Sequence, residues 1–316
     1  MSRTLPKVLL VGYKGQVGTE MSELLKSGGY TFVAIDVEEC DLGVAGAVTE
    51  SIRKERPNVI VNAAAYTAVD KAESNTTIAS IINAAAPTEM AKAAREAGAL
   101  FVHYSTDYVF NGAHATPWIE GDPTGPINAY GRTKLDGENG VLASGAAAFI
   151  FRTSWVYGSH GANFLRTMVR LASSREELSV VQDQVGAPTW SRSLAEVTMH
   201  TIRKFTAEDG SLDVAAAAHK AGIYHASCGG VTNWFDFAVA IFDEVRAHGI
   251  ALKVQRVLPI TTEQYPCAAA RPRYSVLSNE KLQRELGFTM PEWRVALRAV
   301  VAESVQRGSF VEATSR

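Results

Sequence analysis

The sequence predicts an α/β fold in which helices cover both faces of a doubly wound parallel sheet. Apolar, strand-like runs alternate with segments of helical periodicity through the first half of the chain, and this alternation is typical of parallel sheets. We expect strands at residues 8–11, 32–35, 59–61, 100–104 and 147–152. Helices are expected at residues 16–26, 44–54 and 78–97, and a further helix should carry Tyr130. Ligands bind such sheets in the loops that follow the carboxyl ends of the strands.

The bulk composition excludes several classes of protein. The chain has 316 residues, of which 47% are hydrophobic and 20% charged, and this is ordinary for a globular enzyme. Its net charge of −2 provides no basic surface for nucleic acid or an anionic membrane, and no apolar run approaches the ~20 residues of a membrane span. The three cysteines are too few and too scattered for a disulfide framework or a zinc site. We therefore expect a cytoplasmic protein that binds neither nucleic acid nor membranes.

A glycine-rich turn between the first strand and the first helix is the first indication of function. Its spacing is G-x-x-G-x-x-G, as in short-chain dehydrogenases, and its residues are Gly12, Gly15, Gln16, Val17 and Gly18. Glycines let the backbone turn tightly and approach a pyrophosphate, which then rests on the helix N-terminus. A plain strand–helix turn is the alternative. The turn favours a Rossmann-type dinucleotide-binding domain.

Other residues of the first half are candidates for cofactor contacts. Asp36 ends the second strand, where an acid binds the ribose 2′-hydroxyl of NAD and disfavours a 2′-phosphate, so NADH is plausible and NADPH is not excluded. Small side chains after the third strand leave room for a nucleotide, although they would equally suit tight helix–sheet packing. Asp41 and Leu42 are candidates for an adenine contact, with a helix N-cap as an equal alternative for Asp41. The residues after the third strand are Ala63, Ala64, Ala65 and Tyr66.

In the second half of the chain, strand-like and helical patterns alternate less regularly. Strand-like runs at residues 178–182 and 223–227 are separated by longer helices at 191–205 and 235–247, and a Pro-rich irregular tract covers 259–272. We expect a dinucleotide-binding domain over residues 1–156. Residues 157–316 should form a smaller, mainly substrate-binding domain, with some segments returning to the sheet.

Four residues suggest the chemistry. Tyr130 and Lys134 are four apart, so a helix places both on one face, where the lysine would lower the phenol pKa towards the range of a useful general acid. Ser105 and Thr106 end a buried strand, where their hydroxyls face the site unless they only cap the following turn. Downstream of a dinucleotide turn, this set predicts carbonyl reduction. One hydroxyl would bind the substrate oxygen, Tyr130 would donate the proton, and Lys134 would hold the nicotinamide ribose.

Longer blocks of sequence resemble one family. They lie at residues 62–73, 104–112, 152–158, 183–189 and 271–275, and they read NAAAYTAVDKAE, YSTDYVFNG, RTSWVYG, DQVGAPT and RPRYS. In this order they resemble the dTDP-4-dehydrorhamnose reductase family of extended short-chain dehydrogenases. The resemblance implies reduction of the 4-keto group of dTDP-4-dehydro-L-rhamnose, the sugar also written dTDP-6-deoxy-L-lyxo-4-hexulose. The product would be dTDP-L-rhamnose, and the cofactor NADPH or NADH.

The resemblance also implies roles for individual residues. Thr106, Tyr130 and Lys134 would be the catalytic residues. Contacts to the deoxysugar would come from Ser105, Thr106, Asp107, Tyr108, Tyr130 and Trp155. Trp155 would stack on an apolar sugar face, with a buried core position as the alternative. Arg271 is a candidate for binding the pyrophosphate, with surface pairing as the alternative.

One feature departs from the family pattern. Some members hold a magnesium ion through acidic residues, one soon after the Gly-Ala-Pro-Thr block and one near the C-terminal tryptophan. Here those regions read WSRS at residues 190–193 and Trp293-Arg294. Because magnesium requires oxygen ligands, arginine argues against it. We expect no metal site, and any homodimer should not be bridged by that ion.

Two alternative functions remain at this stage. A sugar-nucleotide 4,6-dehydratase or epimerase would share the glycine turn and the Tyr-Lys pair, but a dehydratase places a second acid where Tyr108 follows Asp107. A non-catalytic regulatory subunit, like the reductase-related partner of methionine adenosyltransferase, would be expected to have lost catalytic positions. All of the expected catalytic residues are present here.

Overall fold

A parallel sheet forms the centre of the molecule in the computed structural model, which describes residues 5–310. The outermost residues of the two predicted domains, 1–4 and 311–316, lie outside this range. The strands are β1 Val8–Val11, β2 Phe32–Ile35, β3 Val59–Asn62, β4 Leu100–Thr106, β5 Ala148–Thr153, β6 Val156–Tyr157, β7 Glu177–Val181, β8 Val185–Gly186, β9 Thr189–Trp190, β10 Gly222–His225, β11 Thr232–Asn233 and β12 Arg256–Ile260.

Helices flank the sheet and build most of the second half. They are α1 Gln16–Ser27, α2 Ala47–Glu55, α3 Val69–Ala72, α4 Thr76–Ser80, α5 Ala86–Ala97, α6 Ala129–Ala143, α7 Phe164–Ser174, α8 Ser191–Lys204, α9 Val214–Ala218, α10 Trp234–Ala247 and α11 Trp293–Gln306. Within the described residues, no helix is both long enough and apolar enough to cross a membrane.

The order of the main sheet is β10-β5-β4-β3-β1-β2, and every pairing in it is parallel. The predicted α/β fold with a doubly wound parallel sheet is therefore confirmed. The chain passes from β1 to β2 on one side and then to β3 on the other, so the direction of winding reverses beside β1. A crevice opens at the carboxyl ends of the strands at such a reversal. The loops after β1, β3 and β4 meet there.

Segments from the second half of the chain pack against the main sheet and also form a separate apolar cluster. Strand β10 joins the main sheet beside β5, and buried residues of α8, among them Leu194 and Val197, share one core cluster with β1 and α1. A second apolar cluster lies between α7, α10 and α11. The boundary at residue 156 remains a prediction.

Several predicted elements differ from the structure. The helix predicted at 78–97 is interrupted, because residues Ile81–Ala85 form a π-helical turn between α4 and α5. Helix α2 begins at Ala47 because Gly46, with a φ of 81°, ends the preceding turn. The tract predicted to be irregular from 259 begins inside strand β12, which pairs with β7. These differences arise where pairing or turn geometry overrides local periodicity.

Candidate active site

The glycine-rich turn is packed too closely for side chains. Gly12 has a φ of +83°, and a Cβ there would lie 2.6 Å from the backbone nitrogen of Ala64. A Cβ on Gly18 would lie only 2.0 Å from the carbonyl oxygen of Gly12. The N-cap of α1, Gly15, offers no side-chain hydrogen bond to the first turn of the helix. This arrangement leaves backbone N–H groups available to a phosphate and fits a dinucleotide.

The two aspartates assigned to the cofactor shape the loops beside this turn. The Asp36 carboxylate accepts hydrogen bonds from the backbone N–H groups of Lys14, at 3.0 Å, and Val37, at 2.9 Å. Asp41 accepts one from the backbone of Gly43 at 2.8 Å, so it closes a local turn and is not a helix N-cap. The half-buried Leu42 packs against the core on the β1–β2 side. Their cofactor contacts remain predictions.

The loop after β3 is tied to helix α6 by a residue that the sequence analysis missed. Asn83, fully buried in the π-helical turn, accepts a hydrogen bond from the backbone of Tyr66 at 2.8 Å and donates one to its carbonyl oxygen at 3.1 Å. The same amide donates to the Thr133 hydroxyl at 3.1 Å. The half-buried residues Ala63, Ala64 and Ala65 lie between these anchors and β3. In the sequence, the available indication of this role was the amide side chain of Asn83 within a mostly apolar helical pattern.

Helix α6 brings Tyr130 and Lys134 to the end of β4. Its N-cap, Asn128, accepts a hydrogen bond from Gly131 at 2.8 Å and donates one to the carbonyl of Ala270 at 2.8 Å. A Cβ on Gly131 would lie 2.1 Å from the carbonyl oxygen of Tyr108. This close approach explains why a glycine follows Tyr130. Without a side chain at this position, the start of α6 packs directly against the segment that follows β4.

The hydroxyls of Thr106 and Tyr130 lie in one buried cluster with Asp107. Thr106 donates to Asp107 at 2.9 Å and accepts from the backbone of Tyr108 at 3.1 Å, so it also caps the short turn that follows. Burial raises the pKa of the Tyr130 phenol, the Asp107 carboxylate raises it further, and a hydrogen bond with Thr106 lowers it. The net direction is opposite to our expectation, because Lys134 is not directed at the phenol here. The neighbouring Ser105 hydroxyl is buried and has no hydrogen-bond partner among the described residues.

Asp107 should make stability fall as pH rises. Burial raises the pKa of this carboxyl to about 6, so the folded state holds its proton more tightly than the unfolded chain. The free energy of unfolding should therefore decrease from about pH 4 to just above pH 6, by up to about 3 kcal/mol. Asp107→Asn should abolish this slope, and Asp136→Asn, an exposed acid on α6, should keep it. Urea titrations at pH 4.5 and 8 measure the difference, and equal slopes in all three proteins would contradict it.

Lys134 is almost completely buried, and its side-chain nitrogen contacts the sheet. Nζ donates to the carbonyl oxygen of Tyr104 at 2.6 Å and lies 3.3 Å from Nε2 of His103. Burial lowers the pKa of Lys134 to about 8, although the charge of Glu138 opposes this. The sequence analysis missed His103, which lies in the same strand as Ser105 and Thr106. The burial of Lys134 therefore favours its uncharged form.

A groove of about 1120 Å³ lies between Tyr108, which follows β4, and the second half of the chain. Tyr108, Trp234 and Arg271 line it, and the Tyr108 ring meets Tyr130 edge-on at 5.7 Å. Trp155 stacks on Trp234 with ring centroids 3.6 Å apart, and its backbone has a left-handed φ of 48°. Such strain persists only where the surroundings impose it. Trp234 was not anticipated, because nothing in its local sequence marks it.

Two alternatives were open for Trp155, a sugar contact or a core position, and two for Arg271, a pyrophosphate contact or surface pairing. Trp155 is half-buried rather than a core residue, and it forms part of an aromatic pair at the groove. Arg271 pairs with Asp70 at 2.7 Å and also donates to the carbonyl of Ala269 at 2.9 Å. It thus combines the predicted pairing with a position in the groove wall. Substrate contacts for both residues remain predictions.

Comparisons with known proteins identify the family. A family model described as RmlD substrate binding domain matches residues 6–306. The dTDP-4-dehydrorhamnose reductase of Burkholderia thailandensis is 46% identical over 94% of this chain and 98% of its own length. The chain belongs to the dTDP-4-dehydrorhamnose reductase family. The family members are NAD(P)H-dependent oxidoreductases.

Other family members agree in sequence and in structure. The Escherichia coli K12 reductase is 44% identical, over 94% of this chain and 97% of its own. The crystal structure of the Clostridium acetobutylicum protein matches with a TM-score of 0.85 and 40% identity, covering 95% of this chain and 99% of that chain. The Bacillus anthracis reductase in complex with NADP matches with a TM-score of 0.84 and 37% identity, with the same coverage. The predicted family and fold are confirmed.

The magnesium site of some family members does not fit the residues present here. The described residues hold one cluster with suitable ligand types, formed by Glu20, His160 and Glu303. The Arg192 guanidinium binds Glu20, and it also donates to Glu23 at 3.1 Å and Glu303 at 3.3 Å. A cationic side chain therefore already neutralises the carboxylates that a divalent ion would need. The absence of a metal remains a prediction.

A second arginine completes this cluster. Arg307 pairs with Glu23 at 3.1 Å and with Glu303 at 2.8 Å, and it lies 2.9 Å from Nε2 of His160. Burial and then the charge of Arg307 lower the pKa of His160, which disfavours a positive charge on the ring. The network joins α1, the start of α8 and the end of α11. Its role in this structure is to hold the helix of the glycine turn against the second half of the chain.

Proposed function

We propose that the protein reduces the 4-keto group of dTDP-4-dehydro-L-rhamnose to give dTDP-L-rhamnose, with NADPH or NADH as the hydride donor. The observation that carries the proposal is that Thr106 ends β4 while Tyr130 and Lys134 contact the end of this strand, in a chain of this reductase family. The groove lined by Tyr108 and Trp234 provides a place for the sugar nucleotide.

The side chains would divide the chemistry between them. A bound nicotinamide supplies the hydride that reaches the carbonyl carbon. Thr106 would donate a hydrogen bond to the substrate oxygen as negative charge develops there, which requires its hydroxyl to turn from Asp107. Tyr130 would then give its proton to that oxygen to complete the alcohol. Lys134 would hold the ribose, and Ser105, Asp107, Tyr108 and Trp155 would contact the sugar.

The cofactor would be held by the turn and its neighbours. Its pyrophosphate would lie on the N-terminus of α1, against Gly12 to Gly18, where a side chain would collide with backbone. Asp36 would bind the adenosine ribose, with Asp41 and Leu42 near the adenine. The alanines 63–65 and Tyr66 would border the cofactor on the other side.

The alternative functions are not favoured. A dehydratase needs a second acid, and the half-buried aromatic ring of Tyr108 stands where that acid would be. A regulatory subunit has no need of a lysine that is 1% exposed and lies one turn along α6 from Tyr130. The cytoplasmic location and a homodimer remain predictions.

A single assay tests the proposal. Purified protein should oxidise NADPH or NADH when given the dTDP-linked 4-keto-6-deoxyhexose, and mass spectrometry should find a product two hydrogens heavier. UDP- and GDP-linked 4-keto sugars serve as matched controls, and turnover should be slower with both. If neither NADPH nor NADH supports turnover, the reductase function is contradicted. Equal turnover of all three sugars would contradict the dTDP specificity.

A further inference from the structure

Two buried polar residues connect the sheet to Lys134. Asn62 ends β3 and His103 lies opposite it in β4, where the two are paired in the strand register. Asn62 Nδ2 lies 3.1 Å from His103 Nδ1, and His103 Nε2 lies 3.3 Å from Lys134 Nζ. Each of the three side chains is 1% exposed. They form a continuous chain through the interior.

The backbone determines the direction of hydrogen bonding in this chain. The Ala64 N–H can only donate, and it lies 3.1 Å from Asn62 Oδ1, so the Asn62 oxygen faces Ala64 and its NH2 group faces His103. His103 Nδ1 must then accept. A neutral imidazole has one donor and one acceptor, so its proton resides on Nε2 and points at Lys134.

This direction favours an uncharged Lys134. An ammonium has three donors and no acceptor, whereas an amine can accept the N–H of His103. Burial and then the positive charge of Lys134 hold the pKa of His103 well below its ordinary value, so the ring is neutral. Burial likewise lowers the pKa of Lys134 to about 8. The hydrogen-bond directions and the burial of the site thus act in the same sense.

The other groups around Lys134 do not reverse this preference. Glu138, one turn along α6, raises the lysine pKa, but both of its oxygens bind Arg152 of β5, at 2.9 and 2.6 Å. Strand β4 presents the carbonyl oxygen of Tyr104, which accepts from an amine as well as from an ammonium. Tyr130 on the same helix carries a phenol whose burial keeps it protonated. Among the described residues, no carboxylate bonds to Nζ.

We propose that Asn62 and His103 are positioning residues that set the protonation state of Lys134, because they direct a donor, the Nε2–H of His103, at its nitrogen. The kinetic consequence rests on the proposed reductase function. Once Tyr130 has given its proton to the product, a positive charge on Lys134, one turn along α6, would stabilise the phenolate, and an uncharged amine would not. Loss of the Lys134 proton should therefore lower kcat at alkaline pH.

The first test measures the tautomer and needs no substrate. Long-range ¹H–¹⁵N spectra of histidine-labelled protein distinguish Nδ1–H from Nε2–H, and His103→Gln assigns the signal. We expect the proton on Nε2. Asn62→Asp should move it to Nδ1, because a carboxylate cannot donate. A wild-type ring protonated on Nδ1 or on both nitrogens would overturn the proposal, even if the variants fail to fold.

The second test is the pH profile of kcat. In wild type the alkaline limb should lie near the lysine pKa of about 8. Asn62→Asp turns His103 Nε2 into an acceptor for the ammonium, so the limb should rise by roughly one pH unit or more. His103→Gln can accept from Asn62 and donate to Lys134, so it should retain the wild-type limb. A limb that does not move in Asn62→Asp would overturn the proposal. Lack of any turnover would contradict the reductase function and leave the tautomer test decisive for this chain.

Discussion

Replacing Tyr130 by phenylalanine is expected to lower kcat by roughly 10²- to 10⁴-fold, the usual contribution of a positioned general acid. The change removes one oxygen atom and preserves the ring that meets Tyr108 edge-on at 5.7 Å. The shape of the groove should therefore persist, and the substrate should still bind. Stopped-flow measurement of NADPH oxidation would give the rate of the hydride step directly.

The matched control for this prediction is Tyr30→Phe. Tyr30 is also a mostly buried tyrosine, but it packs in the core of the β1 and α1 side, far along the chain from the catalytic helix. It should turn over at the wild-type rate. Binding of NADPH, followed by fluorescence titration, should be close to that of wild type in both variants. A Tyr130→Phe enzyme with an unchanged hydride step would remove Tyr130 as the acid.

Local signals in the sequence indicated several of the residues that the fold brings together. The β1 and β2 bounds, 8–11 and 32–35, agree with the structure because four-residue apolar runs bounded by turn residues are too short for a helix. The glycine spacing and the Tyr-Lys spacing are likewise local, and each element places its residues without help from distant chain. Thr106 was identifiable because it ends a buried strand that feeds the crevice.

The supporting residues could not be predicted in the same way. Asn83 is bonded to Thr133, which is 50 positions away, and Arg192 to Glu20, which is 172 positions away. Such contacts can be predicted only once the order of the strands in the sheet is known. The direction of the Tyr130 pKa shift depended on the same information, because the spacing implied a nearby cation. In the folded protein that cation binds the Tyr104 carbonyl, and burial dominates.

Gly18→Ala should abolish tight binding of NADPH while the protein remains folded. The new methyl group would lie 2.0 Å from the Gly12 carbonyl oxygen and 2.7 Å from the Tyr13 Cα, both of them backbone atoms that no rotamer change can move. The turn must open, and the N–H groups at the start of α1 then lose their common direction. The expected rise in Kd for NADPH is about 100-fold, equivalent to about 3 kcal/mol of overpacking.

The control distinguishes a collision from a general effect of adding a methyl group. Gly121 is exposed, and a Cβ there meets no atom within 4 Å, so Gly121→Ala should bind NADPH as wild type does. Isothermal titration would measure both variants, and thermal melting would check that each one is folded. A folded Gly18→Ala protein with wild-type affinity would mean that the pyrophosphate does not rest on this turn. In that case the position of the hydride donor relative to Tyr130 would also have to be reconsidered, because the proposed role of the turn is to orient the cofactor towards the end of β4.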